Sequence, residues 1–172
     1  MSDYLADYLA LKESNDRLRE QGRAWMWETV SRHSAEINSA IAALPPGPPP
    51  ASMDPSTQPA SGLQVGRQDW QFKIGRSVMV GERIGVRYAG RTLIIELGWP
   101  RAPEHGYVPD HGLARGRVSM SANVMLEAML KDELILKRDS DGVPVWHYIK
   151  DSKTGEAVSP ARLRTYLEEL LK

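Results

Sequence analysis

Apolar side chains in the first 44 residues recur every three or four positions, which is the spacing of one face of a helix. The segment is rich in Ala, Leu, Glu and Arg and contains one glycine and no proline, so helix is its favoured state. Glu13 and Arg17 add a pair of opposite charges at the i to i+4 spacing. We therefore predict a long amphipathic helix over residues 1–44. Its apolar stripe comprises Tyr4, Tyr8, Leu11, Leu18, Trp25, Val30, Ile37, Ile41 and Leu44.

A helix of this length extends about 60 Å at 1.5 Å per residue, farther than a domain formed by the rest of the chain requires. Three partners for the apolar stripe remain open: the chain's own C-terminal domain, a second copy of the chain, and a different protein. Large aromatic side chains bury the most area per residue, which favours the middle of the helix around Trp25 as an anchor. The residues predicted to bind a partner are Tyr8, Leu11, Leu18, Trp25, Val30 and Ile37.

A proline-rich segment at residues 45–62 follows the helix and holds seven of the chain's twelve prolines. Proline cannot continue the helical hydrogen-bond ladder, and it moves the preceding residue out of helical geometry. We therefore predict that the helix ends at Leu44. An extended linker then joins it to a compact domain over residues 63–172.

From residue 63 onward, short runs of alternating apolar and polar residues separated by glycines predict antiparallel strands. The clearest case is a hairpin over residues 82–97 with its turn at Ala89–Gly90. In this register Arg83 lies directly opposite Glu96, where we expect an ion pair across the strands.

Two helices are predicted to cover this sheet. The C-terminal one, over residues 160–171, begins with Ser159 as N-cap and Pro160 in the first turn. The other spans residues 121–131. The fold class is therefore α+β: a long N-terminal amphipathic helix, a proline-rich linker, and a small antiparallel sheet covered by two helices. The side chains predicted to face inward from the 121–131 helix are Met125, Leu126, Met129 and Leu130.

The remaining segments of the domain are shorter strands and one long loop. Residues 98–116 contain four glycines and three prolines without periodicity, and a loop of this length in a compact domain is usually functional or disordered. Pro144 indicates an edge position for the strand that contains it. The additional strands are predicted at residues 69–74, 77–80, 117–120, 134–137 and 143–149.

The amino-acid composition excludes several classes of function. The chain has no cysteine, which excludes disulfides, thiolate metal ligands and cysteine nucleophiles. Lys and Arg together number 22, as do Asp and Glu, so the net charge gives no overall attraction to nucleic acid or membranes. The acidic start does not match a signal peptide, and no apolar run reaches the roughly 20 residues of a membrane span. We therefore expect a cytoplasmic protein with no membrane contact, and nothing in the sequence predicts a cofactor.

One local charge imbalance suggests nucleic acid as an alternative partner. Residues 63–120 hold nine basic residues against five acidic ones. On the hairpin, Arg83 and Arg87 share a face, and we expect Trp70 nearby. Basic and aromatic side chains on one sheet surface are typical of single-stranded nucleic-acid binding. The candidate residues are Lys73, Arg83, Arg87 and Arg91.

The loop at residues 98–116 contains two acid–histidine pairs. These residue types bind divalent metals and perform acid–base catalysis near neutral pH. The spacing matches no metal-binding motif, and the flanking prolines and glycines favour ordinary loop histidines. The candidate metal ligands are Glu104, His105, Asp110 and His111.

The sequence as a whole favours a non-enzymatic interaction or adaptor protein. In this interpretation the N-terminal helix forms a homo-oligomer or binds a different protein. A nucleic-acid-binding module that uses the basic sheet is the first alternative. A metal-assisted or acid–base enzyme centred on the 98–116 loop is the second. The chain has no glycine-rich phosphate loop, dinucleotide fingerprint or nucleophile elbow.

Overall fold

The computed structural model describes residues 2–45, 62–123 and 125–172. Within them a long helix is followed by seven strands and a second helix, with a short 3-10 turn between the third and fourth strands. The fold is α+β, as predicted. The proline-rich linker predicted at residues 45–62 lies outside the described residues, apart from Pro45 and Gly62 at its two ends.

The N-terminal helix α1 spans Ser2–Ala42, a length of 41 residues. This confirms the long helix, although the helix ends two residues before the predicted Leu44. Residues 3–13 are exposed throughout. In the described part of the chain, no helix is both long enough and apolar enough to cross a membrane. The α1 side chains that join the core are Leu18, Met26, Val30 and Ile37.

Seven strands form one antiparallel sheet in which the spatial order equals the order along the chain. Every strand therefore pairs with its neighbours in sequence, which requires no crossover connection. This sheet is larger than the small one predicted. The strands are β1 (Gln64–Ile74), β2 (Ser77–Tyr88), β3 (Arg91–Trp99), β4 (Ala114–Ser121), β5 (Met129–Arg138), β6 (Pro144–Lys150) and β7 (Lys153–Ala157).

The β2–β3 hairpin has the predicted register, with Arg83 opposite Glu96. Its turn residues Ala89 and Gly90 both have positive φ, 48° and 82°, as a tight two-residue hairpin turn requires. The predicted ion pair between Arg83 and Glu96 was wrong. Glu96 instead binds the guanidinium of Arg117, which lies opposite it on β4, at 2.7 Å.

Both helices lie on the same face of the sheet, which we call the inner face. The opposite one is the outer face. Helix α2 (Pro160–Glu169) and α1 together meet the apolar side chains of the inner face in one cluster. Two helices therefore cover the sheet, but the second is α1. The sheet residues in this cluster include Ile84, Val86, Leu93, Ile95, Leu97, Val118, Leu134, Leu136 and Trp146.

The helix predicted over residues 121–131 is wrong. Ser121 is the last residue of β4, Met129 is the first residue of β5, and residues 122–128 connect them without helix, Val124 lying outside the described residues. The side chains predicted to face inward are all exposed, by 55% to 86%: Met125, Leu126, Met129 and Leu130.

Local hydrogen bonds explain why this segment turns. The Ser121 hydroxyl donates to the backbone carbonyl of Leu126 at 3.0 Å. The Asn123 side-chain oxygen accepts the backbone N–H of Met125, also at 3.0 Å. Such bonds between short polar side chains and the backbone compete with those of a helix. The chain then continues in β5, where pairing with β4 satisfies its backbone groups.

The C-terminal part of the domain follows the prediction more closely. The Ser159 side chain accepts the backbone N–H of Arg162 at 3.1 Å, and Pro160 is the first residue of α2, which confirms both the N-cap and the first turn. The second hairpin is confirmed as β5 and β6, and the short strand at residues 117–120 is confirmed within β4.

The prediction for the last two strands was wrong at Pro144 and lacked β7. Pro144 starts β6, which pairs with both β5 and β7, so the predicted edge position was wrong. A strand's first residue tolerates proline equally well. The sequence did not predict β7, whose residues Lys-Thr-Gly-Glu-Ala lack apolar alternation.

The irregular loop between β3 and β4 is shorter than predicted. Gly98 and Trp99 belong to β3, and β4 begins at Ala114, so the loop covers residues 100–113. It contains a 3-10 turn at Pro103–His105.

Candidate binding surfaces

The first turns of α1 are exposed, and Tyr8 and Leu11 line a cavity of about 310 Å³ together with residues 100–103 of the loop after β3. Residues 3–13, which we call the helix overhang, are all exposed, whereas burial begins at residue 14. At 1.5 Å per residue the overhang is about 16 Å long. Its large apolar side chains are 53% to 81% exposed: Tyr4, Leu5, Tyr8, Leu9 and Leu11.

The six residues predicted to bind a partner lie in two different environments. Leu18, Val30 and Ile37 are at most 9% exposed in the protein's own core, and Trp25 packs partly buried against it. These four side chains therefore stabilise the fold of the chain itself. Tyr8 and Leu11 lie in the helix overhang, so the same stripe that packs on the sheet continues past its end.

Sequence reasoning missed Leu5 and Leu9, which stand beside this stripe on the overhang. Both lie within one helical turn of Tyr8. A helical projection of the first 13 residues alone shows an apolar surface wider than a single stripe. The sequence therefore contained the information needed to add Leu5 and Leu9 to the apolar surface.

The base of the overhang is held rigidly. The Arg19 guanidinium donates to the backbone carbonyl of Leu113 at 2.7 Å and to the Asp16 carboxylate at 2.8 Å. Burial works to raise the pKa of Asp16, but hydrogen bonds from Lys12 and Arg19 outweigh it and hold that pKa below its usual value of 3.8. These bonds fix the direction in which the overhang leaves the body.

The four predicted nucleic-acid-binding residues divide between the two faces of the sheet. Strand alternation places Arg83 and Arg87 on the outer face. Lys73 and Arg91, which pair across the strands with Val78 and Tyr88, lie on the inner side. Arg91 donates to the Glu169 carbonyl near the end of α2 at 3.3 Å.

A buried carboxylate organises the outer face. Glu96 is 8% exposed and accepts hydrogen bonds from the Trp70 indole N–H and the Arg117 Nε–H, both at 2.7 Å. The fixed Trp70 ring in turn has the Arg83 guanidinium over it, 4.8 Å from the ring centroid. Arg83 is therefore positioned by an aromatic face.

The two outer-face arginines can still bind an anion. Glu96 is already bound by Arg117. Among the residues that the structure describes, neither Arg83 nor Arg87 forms an ion pair with a carboxylate. Arg83 is half-buried and Arg87 is exposed.

Between these arginines and the edge of β1 lies a cavity of about 400 Å³. Its floor is formed by Gly66 and Gly85, which pair directly across β1 and β2. A Cβ built on either glycine would meet no atom within 4 Å, so the backbone there is open to solvent. We call this site the glycine groove; the residues that line it include Gln64, Gly66, Gln68, Arg83, Gly85 and Arg87.

The loop residues predicted as metal ligands are not gathered into a site. Glu104, Asp110 and His111 are exposed and His105 is half-buried in the 3-10 turn. Across the described residues, no three His, Asp or Glu side chains are grouped as a metal ion requires.

Asp110 has a structural role in this loop. Its carboxylate accepts hydrogen bonds from the Thr154 hydroxyl on β7 and from the Lys137 ammonium on β5. The Thr154 bond and then the Lys137 bond hold the pKa of Asp110 below its usual value of 3.8. Asp110 thereby attaches the loop to two strands.

The fold and these surfaces define an α+β protein in which one long helix both completes the core and extends past it. No protein-family model, curated protein or solved structure matches the chain. Its function is therefore inferred from the helix overhang and the glycine groove.

Proposed function

We propose that this chain is a non-enzymatic interaction protein whose helix overhang associates with the overhang of a second copy. The observation that supports this is the continuous run of exposed residues 3–13 on an otherwise packed helix. Five large apolar side chains on three helical turns are more than the scattered single exposures that a protein surface normally carries.

The spacing of these side chains suits a second helix of the same kind. Tyr4, Tyr8 and Leu11 follow one another at intervals of four and three residues, which is the seam pattern of paired helices. Two overhangs related by a twofold axis present the same seam to each other, and such isologous pairs are the commonest form of oligomer. An identical partner needs no further assumption about its chemistry.

The exposed apolar area limits the size of this interface. With roughly 200 Å² for each large side chain, the exposed fractions of the five apolar residues amount to about 600 Å² per copy. Two copies then bury at most about 1,200 Å², which is the lower limit of specific protein–protein interfaces. We expect a dimer that dissociates on dilution.

Light scattering of the full-length chain over a range of concentrations tests the proposal. A truncated domain is unsuitable, because Met26, Val30 and Ile37 of α1 belong to the core. We expect the wild-type mass to move from one subunit to two as concentration rises. Tyr8→Glu combined with Leu11→Glu should give one subunit throughout, because both charges would enter the seam.

The matched control is Ala6→Glu combined with Ala10→Glu, which adds the same charge to the opposite side of the same exposed helix. This variant should still form dimers. A wild-type chain that stays at one subunit up to millimolar concentration would rule out self-association. Equal dimerisation of both double variants would show that the contact lies elsewhere.

A further inference from the structure

The glycine groove has a flat floor, and this restricts what can lie in it. Gly66 and Gly85 leave two adjacent backbone segments bare, and a Cβ built on either would have nothing within 4 Å. A planar ring can rest there at van der Waals distance, whereas any side chain at these positions would prevent it. The volume of about 400 Å³ is at the small end of the 300–1,000 Å³ typical of ligand sites, enough for one compact ligand.

The sides of the groove are cationic. Arg83 and Arg87 are two residues apart on one strand face, so their Cα atoms are about 7 Å apart. Guanidinium groups bind phosphate oxygens through two parallel hydrogen bonds. Arg83 is held against Trp70, and Arg87 is exposed.

The side chains that β1 places beside the groove on the outer face are uncharged but polar. Gln64 and Gln68 flank Gly66 on the exposed strand. Each carries an amide that both donates and accepts hydrogen bonds, which matches the mixed donors and acceptors on the edge of a nucleobase. A ligand that carried only a carboxylate or phosphate would leave these amides and the flat floor without a role.

We propose that the glycine groove binds one nucleotide unit, with its base on the Gly66–Gly85 floor and its phosphate on Arg83 and Arg87. Gln64 and Gln68 then hydrogen-bond the edge of the base. The unit can come from single-stranded nucleic acid or from a free nucleotide, because both offer the same base and phosphate. This activity is separate from the self-association of the helix overhang.

Fluorescence anisotropy with a labelled twelve-residue oligothymidylate and an oligoadenylate of the same length tests the proposal, with unlabelled AMP, TMP and inorganic phosphate as competitors. Contact with one phosphate of a single strand predicts a slope of about −0.7 for log affinity against log salt. Arg87→Gln should weaken binding about tenfold and reduce that slope. Arg76→Gln, which removes an exposed charge in the β1–β2 turn, is the matched control and should bind as wild type does.

Gly85→Val separates binding from folding. Gly85 lies in a strand, its φ is outside the left-handed region, and a Cβ there meets open space. Since valine favours strands more than glycine does, the variant should be at least as stable as wild type while its side chain covers the floor. Binding should fall at least tenfold.

The possible results distinguish the two sources of the nucleotide unit and test the groove itself. Oligonucleotide binding that is lost in Gly85→Val and that AMP and TMP displace only at much higher concentration supports single strands as the source. Displacement by AMP or TMP at a concentration similar to that of the oligonucleotide supports free nucleotides. Inorganic phosphate that competes as well as AMP would overturn the role of the base. Absence of binding to all probes, or binding that Arg87→Gln and Gly85→Val leave unchanged, would overturn the site.

Discussion

The indole N–H of Trp146 on β6 donates a hydrogen bond to the backbone carbonyl of Gly22 in the middle of α1, at 2.9 Å. Both residues are buried. A Cβ built on Gly22 would lie 2.6 Å from Cδ2 of Leu136, closer than atoms in a packed core approach. The absence of a side chain at Gly22 therefore allows α1 to lie directly on the sheet, and Trp146 fixes its position there.

Gly22→Ala should destabilise the protein, although alanine favours helix over glycine by about 1 kcal/mol. The added methyl group has to displace Leu136, and overpacking of this kind costs about 1–3 kcal/mol. Urea denaturation measures the difference. Leu136→Val in the same chain should recover part of the loss by making room. A Gly22→Ala variant more stable than wild type would show that the helix does not approach the sheet so closely.

The sequence predicted local features of the fold well. The β2–β3 register followed from the parity of alternating residues around Ala89–Gly90, because a register slip by one residue would turn every apolar side chain to the wrong face. The α2 start followed from Ser159 and Pro160, whose effects are confined to a single helical turn.

The features that the sequence did not predict depend on contacts distant in the chain. The segment containing Met125 and Leu130 has apolar residues at helical spacing, but pairing with β4 decides its conformation. The apolar stripe of α1 gave no information on where the sheet ends, so Leu18 and Leu11 were equivalent in the sequence and differ in burial.

The candidate sites, too, were predicted only where they depend on local sequence. Arg83 and Arg87 were placed on one face by strand alternation alone. The pairing of Gly66 with Gly85 requires the β1–β2 register, which sequence reasoning did not establish because it began the first strand at residue 69. The groove between them was therefore not predicted.

The attachment of the 100–113 loop should weaken in acid because of Asp110. Its pKa is lowered in the folded protein, so its contribution to stability is complete above the unfolded pKa and is lost as the pH falls through the folded one. Asp110→Asn should therefore lower Tm at pH 7, and the difference from wild type should shrink as the pH falls below 3.8.

Glu104→Gln is the control for this prediction, since it changes an exposed carboxylate in the same loop. It should leave Tm unchanged across the range. A Tm difference for Asp110→Asn that stays constant from pH 7 to pH 3 would show that the carboxylate charge contributes nothing to the attachment.

Glu96→Gln should weaken the hydrogen bonds that hold Trp70 and Arg117 on the outer face. Hydrogen bonds to charged groups contribute about 1.5–3 kcal/mol, and this substitution weakens those from Trp70 and Arg117. We expect a loss of about that size in urea denaturation and a shift of the Trp70 indole N–H resonance in NMR spectra. Glu168→Gln, whose ion pair with Arg164 joins two exposed side chains at 2.9 Å, should cost less than about 1 kcal/mol. An unmoved Trp70 resonance in Glu96→Gln would contradict the hydrogen bond.

Glu82 joins the helix to the sheet through a buried charge. Its side chain is 2% exposed and accepts from Arg23 of α1 at 3.3 Å and from Arg67 of β1 at 2.9 Å. Glu82→Gln leaves Arg23, 15% exposed, without its buried carboxylate. Removal of one member of a buried pair costs roughly 3 kcal/mol or more. We expect a loss of that order in urea denaturation.

Glu20→Gln provides a closely matched control, because Glu20 binds the same Arg23 at the same 3.3 Å but is 59% exposed. Solvent screens that pair, so its loss should cost less than about 1 kcal/mol. Replacing Glu82 and Arg23 together by Met should recover much of the stability lost in Glu82→Gln, since a buried pair exchanged for apolar side chains is often neutral. Equal losses in Glu82→Gln and Glu20→Gln would mean that burial adds nothing to this contact, and α1 would then be held on the sheet by apolar packing alone.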